Sequence, residues 1–291
     1  MTDDAQDTGT TQQAPKPRTP AGAGSLVLVT GGTGKTGRRV AERLTARGRA
    51  VRIGSRDAPV PFDWHERSTW EPALEEVTAA YLSYYPDLAF PGAVETVGAF
   101  ARLAAEAGVE RLVLLSGRGE EAAQEAERVV AAAGAEWTVV RCAWFAQNFD
   151  EGFFLDPVLA GELTLPTGDA VEPFVHADDI ADVAVAALTE DGHHGEVYEL
   201  TGPRLLSFAD VAAELSTASG REIRFTAVTV EEYRAVLAAA GLPGDFADLF
   251  TMILDGRNAR PADGVRRALG RAPRDFTEYA REAAASGVWK V

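Results

Sequence analysis

"VLVTGGTGKTGRRV", residues 27–40, admits two phosphate-binding readings. Gly34-Lys35-Thr36 is how an NTPase P-loop ends, while Gly31, Gly34 and Gly37 form a dinucleotide-type glycine ladder. A P-loop in this register needs its first glycine at position 29. That position holds Val29, inside a β-type apolar run, so the first tight turn cannot form. The other register, Gly31-Gly32-Thr33-Gly34-Lys35-Thr36-Gly37, lies between the run at 25–30 and a helical pattern at 37–48, with a second strand at 50–56. Strand, glycine turn, helix and strand make a βαβ unit with a right-handed crossover. Its glycines let backbone N–H groups approach a pyrophosphate at the helix N-terminus. The expected cofactor contacts here are Gly31, Thr33, Gly34, Lys35, Thr36 and Gly37.

Outward from this turn the chain alternates strand and helix. A short extended piece at 58–64 precedes a helix at 68–77 with Ser68 as its N-cap, and a strand at 78–85 follows. Then come a helix at 92–108, a strand at 109–117, a helix at 120–134 and a strand at 135–145. This is the pattern of an α/β fold, a Rossmann-type doubly wound parallel sheet. Beyond 146 the pattern predicts a small hairpin at 159–175, a helix at 176–191, a strand at 195–203, a helix at 207–220 capped by Ser207, and a strand at 221–229. The expected division is a flexible tail at 1–24, a dinucleotide domain at 25–150 with return elements at about 174–200, and a smaller C-terminal substrate lobe. Residues 151–173 and 201–291 would form that lobe, resting on the sheet's carboxyl edge.

Composition narrows the function classes. The 291 residues carry a formal net charge of −16, which disfavours nucleic acid and anionic membrane as partners. One cysteine, Cys142, excludes an internal disulfide framework and a cysteine-rich zinc site, and is expected to be inert core. No apolar run reaches the roughly 18 residues of a membrane span, and the polar start lacks a signal peptide's features. The expectation is a cytoplasmic protein, monomer or homodimer, whose partner is a small-molecule substrate. Only three residues are lysine: Lys16, Lys35 and Lys290.

The end of the second strand selects the cofactor. An acid there would bind the ribose 2′-hydroxyl of NAD, and an arginine the 2′-phosphate of NADP. The chain reads Gly54-Ser55-Arg56-Asp57, with Lys35, Arg38 and Arg39 adding positive charge nearby. Ser55 and Arg56 favour NADPH, while Asp57 keeps NADH open. Asp63 is expected to meet the adenine edge, and at least one of Arg38 and Arg39 to be solvated.

"VTGGTGKTGRRV", "FDW", "GVERLVLLSG", "WTVVRCAWFAQNF" and "FVHADDIADVAVAAL" together resemble the NmrA-like, atypical branch of the short-chain dehydrogenase/reductases. The resemblance covers residues 25 to about 200 and is nearest to reductases of the ergot-alkaloid type and to quinone and triphenylmethane-dye reductases. It implies NADPH across the sheet's carboxyl edge and a substrate pocket under the C-terminal lobe. It also implies Asn148, Trp144 and Phe145 near the nicotinamide and the pocket wall. The larger superfamily's Tyr-x-x-x-Lys relay is absent, since no tyrosine has a lysine four residues on. The alternative His-x-x-x-Glu is also broken, with Ala123 standing before Glu127.

Hydride transfer to an imine, iminium or quinone-like acceptor, cyclic or aromatic, fits this absence, because positioning supplies most of the effect. If an acid is needed, Tyr84, Tyr85, Ser116 and His176 are candidates at strand and helix ends. Each has a plainer reading: aromatic packing for the tyrosines, a local hydrogen bond for Ser116, a helix cap for His176. Arg118 follows the same strand as Ser116. Phe250, with Phe246, Leu249 and Ile253, belongs to lobe core or to a pocket lid. His193 and His194 are expected in a solvated loop, and no metal is expected. Two rivals remain: a non-catalytic NAD(P) sensor, and a lyase or isomerase on the same scaffold.

Overall fold

The computed structural model describes residues 25–239, 241 and 244–291, so the expected tail at 1–24 lies outside the described residues. The side chains of Phe246 and Leu249 also lie outside them. The hub is β1 (Leu26–Thr30), whose register partners are β2 (Ala50–Gly54) on one side and β3 (Val77–Leu82) on the other. With β4 (Arg111–Gly117), β5 (Glu136–Cys142) and β8 (Glu196–Leu200) these form a six-stranded parallel sheet in the order β2-β1-β3-β4-β5-β8. The chain leaves β1 in opposite directions, so the crevice between β1 and β3 is the topological switch point where ligands of such sheets bind.

Both faces are covered. α1 (Gly37–Ala46) and α6 (Ala177–Thr189) pack Val40, Leu44, Ile180 and Val183 against one face. α2 (Trp70–Leu74), α3 (Ala93–Glu106) and α4 (Glu121–Ala131) pack Trp70, Phe100 and Val130 against the other. Burial on both sides explains the near-continuous apolar strands, since a parallel sheet offers no wet face. Each fully buried Leu or Val in these layers stabilises by roughly 1.5–3 kcal/mol.

A third core holds the C-terminal elements: α5 (Leu155–Ala160), α7 (Phe208–Ser219), α8 (Val230–Ala239), α9 (Asp245–Ile253) and α11 (Phe276–Ser286). α10 (Gly264–Leu269) instead docks on the sheet: a Cβ on Gly264 would meet the Glu199 carbonyl oxygen at 2.3 Å. Ser207 and Asp210 form the expected capping box of α7.

The structure corrects three local expectations. Residues 58–64 form no strand, because Asp63 turns the chain: its carboxylate accepts from the His65 N–H at 2.9 Å and its carbonyl from Trp70 Nε1 at 2.9 Å. Ser68 does not cap the next helix, for Glu66 accepts from the Ser68 N–H instead. The hairpin at 159–175 does not form. Gly161, at φ 83°, ends α5, and β6 (Glu162–Leu165) pairs in parallel with β10 (Arg224–Ala227). β7 (Val171–Glu172) pairs antiparallel with β9 (Leu206–Ser207). The alternation near Gly168 marks two half-buried edges rather than one two-stranded ribbon.

Candidate functional site

The glycine turn has the shape a pyrophosphate requires. Gly31, at φ 61°, sits against Ser83 at the end of β3, so turn and switch point share one crevice. A Cβ on Gly37 would lie 2.1 Å from the Gly31 carbonyl oxygen, so only glycine lets α1 begin this close to the turn. No side chain caps α1, and its N-terminus is left for an anion. Thr33 and Gly34 are exposed at the rim. Thr36 faces inward: its hydroxyl accepts from Tyr81 OH at 3.0 Å, so its backbone rather than its side chain is left for a ligand.

The cations near the turn divide. Arg39 is held by Glu151 at 2.5 Å and Asp178 at 3.1 Å, and Arg38 reaches Glu151 at 2.6 Å. Glu151 after β5 and Asp178 of α6 thus balance the positive charge expected from Arg38 and Arg39. Arg56, beyond β2, is exposed and makes no ion pair among the described residues; Ser55 beside it is half-buried. Asp63 lies in a turn rather than at a strand end, and its carboxylate accepts from the His65 N–H at 2.9 Å. The described residues thus fit a dinucleotide with a phosphate near Arg56.

Lys35 crosses the crevice and donates to Asn148 Oδ1 at 2.5 Å, its Nζ lying 6.0 Å from the Phe145 ring centre. Burial lowers its pKa to about 8, against the raising effect of Glu151 and Asp150. Nearby, burial pushes Asp150 up to about 6, although Tyr279 OH donates to it at 3.0 Å. Trp144 and Phe250 come together with ring centres 5.0 Å apart, while Phe145 packs on the sheet side. Phe153 and Phe154, not singled out from sequence, extend that aromatic wall. Phe153 is 42% exposed and lies 5.8 Å from Phe250. Ring contacts with Trp144, Phe153, Phe154 and Tyr233 make Phe250 part of the lobe's core and part of this wall.

Ser116, His176 and Tyr84 each make a local contact of the plainer kind, and Tyr85 does not. Ser116 Oγ donates to Glu127 Oε1 at 2.6 Å, and Glu127 also accepts from Arg141 Nε at 2.9 Å. The buried hydroxyl is therefore committed within the fold. His176 accepts from the Asp178 N–H at 3.1 Å and caps α6. Tyr84 packs on Trp64, ring centres 5.3 Å apart, and burial holds its phenol above its ordinary value despite a hydrogen bond to Thr96. Tyr85 is 76% exposed. His193 and His194 lie in an exposed loop, where His194 is solvated and His193 is buried and bonded to Tyr198 OH at 2.8 Å. Cys142 is buried, and burial pushes its thiol up. The one grouping of potential metal ligands among the described residues is His176, Asp178 and Glu282, and Asp178 there is already paired with Arg39 and Arg43.

Three acids at the carboxyl edge escaped the sequence reading. Glu172 is 1% exposed, and neither carboxylate oxygen has a hydrogen-bond partner. Burial pushes it up to about 7, with the Arg118 charge opposing. Asp87 follows β3 and Glu120 follows β4, and the two carboxyls are hydrogen-bonded. The only signal in the sequence is an acid a few residues past each strand end. A cavity of about 250 Å³ lined by Arg111, Glu136, His193 and His194 lies at the opposite, amino edge, away from the glycine turn.

This is the scaffold of a dinucleotide-binding α/β oxidoreductase. No protein-family model matches the chain. It is 35% identical over 278 residues to an uncharacterised oxidoreductase of Bacillus subtilis, covering 89% of this chain and 95% of that one. It is 31% identical over 287 residues to an NAD(P)H azoreductase of Xenophilus azovorans, covering 90% and 99%. Among solved structures, the triphenylmethane reductase of Citrobacter sp. superposes with a TM-score of 0.71 at 20% identity, covering 90% of this chain and 99% of that one. The chain belongs to the NmrA-like, atypical branch of the short-chain dehydrogenase/reductases. Among the described residues no helix is long and apolar enough to cross a membrane.

Proposed function

We propose that the protein is an NADPH-dependent reductase of a small cyclic or aromatic unsaturated acceptor, imine, iminium or quinone-like. The observation that carries this reading is an uncapped glycine turn tied by the Lys35–Asn148 hydrogen bond to the segment that leads into the aromatic wall. Gly31, Gly34 and Gly37 with the α1 N-terminus would hold the pyrophosphate, and Arg56 the 2′-phosphate. Bound there, NADPH supplies hydride. Trp144, Phe153 and Phe250 would stack a flat acceptor and exclude water from it. The azoreductase relative, which by its name uses NAD(P)H on an azo bond, supports a conjugated acceptor. Tight NADPH binding with turnover of at least one imine, iminium dye or quinone in a panel is the expected result. Tight binding with no NADPH oxidation by any of them would overturn it in favour of a sensor.

A further inference from the structure

The Asp87 and Glu120 carboxyls lie at the ends of neighbouring strands, where a doubly wound sheet presents its ligand. Glu120 is 7% exposed and its carboxyl covers the last residue of β4: a Cβ on Gly117 would meet Glu120 Oε1 at 2.2 Å. Its Oε2 is buried without a partner. Asp87 is half-buried, and burial raises its pKa, while the Ala89 N–H that it accepts at 2.8 Å offsets part of that rise. The loop between them and the lobe is fixed, since Asn258 Nδ2 donates to the Arg118 carbonyl at 3.1 Å and Arg257 Nη1 to that of Gly119 at 2.9 Å.

Charge sharpens the point. Glu120 feels the charges of Asp87 and Glu127, and Arg118 those of Glu199, Arg260 and Glu172. Arg141 is engaged by Glu127 and Glu199, and Arg118 by Glu199 and the Asn258 and Arg260 carbonyls. Among the described residues no guanidinium pairs with Asp87 or Glu120, and the Glu127 charge also raises Glu120. Two hydrogen-bonded carboxyls without a cation cannot both ionise, so they share a proton. Burial, then the Asp87 charge, raises Glu120, which keeps that proton at neutral pH.

We infer that Glu120, oriented by Asp87, is the proton donor of the reductase and replaces the missing Tyr-x-x-x-Lys relay. This rests on the proposed reductase reading. A neutral acceptor, such as a quinone, gains hydride at one atom from the nicotinamide cofactor. Glu120 O–H breaks and its proton goes to the oxygen that receives the electron pair. The acceptor is reduced by two electrons, the cofactor is oxidised, and the carboxylate regains its proton from water through half-exposed Asp87. A cationic carbon acceptor takes hydride alone and needs no proton.

The test compares wild type, Glu120→Gln and Asp87→Asn on a neutral quinone and on a cationic triarylmethane dye from pH 5 to 9. Infrared difference spectra of the cofactor-free proteins accompany it. The expected result is a fall in quinone kcat of about 100-fold in Glu120→Gln, the usual worth of a general acid, with dye reduction within about twofold. Asp87→Asn should move the pH profile for quinone and leave that for dye alone. At pH 7 the wild-type minus Glu120→Gln difference spectrum should contain the C=O stretch of a protonated carboxyl. Equal loss on both acceptors, no loss on either, or a wild-type minus Glu120→Gln difference spectrum without that band overturns the proposal. Wild type that reduces neither acceptor overturns the reductase reading instead, and the infrared arm still decides whether Glu120 holds a proton.

Discussion

Lys35 and Asn148, 113 residues apart, meet in a 2.5 Å hydrogen bond that ties the glycine turn to the segment after β5. The bond closes one end of the crevice with a half-buried ammonium. Burial lowers the Lys35 pKa to about 8, so its charge is present at pH 7 and lost as pH rises through that value. An anionic cofactor in the crevice is held better by the charged form. NADPH binding, followed by calorimetry, should therefore weaken between pH 7 and 9 by up to about tenfold, or 1.4 kcal/mol. Lys35→Ala should bind more weakly at pH 7 and show a flat profile over that window. A wild-type Kd that does not change with pH would place the ammonium away from the cofactor.

Gly37 and Gly34 differ in what a methyl group would meet. At Gly37 it would lie 2.1 Å from the Gly31 carbonyl oxygen, and at Gly34 3.2 Å from the same atom. Gly37→Ala must open the turn, costing about 1–3 kcal/mol of stability as other overpacked sites do. Its dinucleotide binding should fall below detection. Gly34→Ala requires a shift of tenths of an ångström, and its melting temperature should stay near wild type. Equal melting behaviour of the two variants would contradict the packing described here.

Arg56 has no ion pair among the described residues, unlike Arg38 and Arg39. A charge-assisted hydrogen bond contributes about 1.5–3 kcal/mol. Arg56→Ala should thus weaken NADPH binding by about 10- to 100-fold while NADH binding changes little. Isothermal titration with both dinucleotides checks this. If both affinities fall together, Arg56 shapes the pocket and does not read the phosphate.

Ser116 offers a contrast between a structural and a chemical role. Its buried hydroxyl donates to Glu127 at 2.6 Å, and Glu127 also holds Arg141. Ser116→Ala leaves Glu127 with one partner fewer in a buried site, which costs about 1–3 kcal/mol. Chemical denaturation should show that loss, while kcat per folded molecule stays within about threefold, below the 100-fold of a lost general acid.

What was legible in the sequence follows from range. The βαβ opening, the glycine spacing and the Ser207 cap are local, and each reappears in the structure where the pattern placed it. The 159–175 segment failed because its strands pair with residues 206–207 and 224–227, contacts that local alternation does not encode. The charges around the turn failed for the same reason. Whether an arginine is free depends on Glu151 and Asp178, which are distant in sequence and adjacent only once the segment after β5 and α6 pack on α1. The aromatic wall was half legible: Trp144 and Phe250 were singled out, while Phe153 and Phe154 join them through folding of the lobe.

His176 sets an acid limit on stability. Its Nδ1 accepts from the Asp178 N–H at 3.1 Å, a role a doubly protonated ring cannot fill. Burial holds its pKa below the ordinary 6.5, although Asp178, Asp179 and Glu282 pull it up; Arg274 adds to the lowering. The unfolded chain therefore takes up a proton first as pH falls. Between about 6.5 and the lower folded value, the unfolded state binds more protons and stability declines with acidification. Above 6.5 this residue contributes no pH dependence. Asn caps a helix as well as Asp or Ser does and does not titrate. In His176→Asn, the urea midpoint should lose the part of its slope that lies below pH 6.5 and keep its value at pH 8. A wild-type slope that survives unchanged in this variant would assign the acid sensitivity to the carboxylates instead.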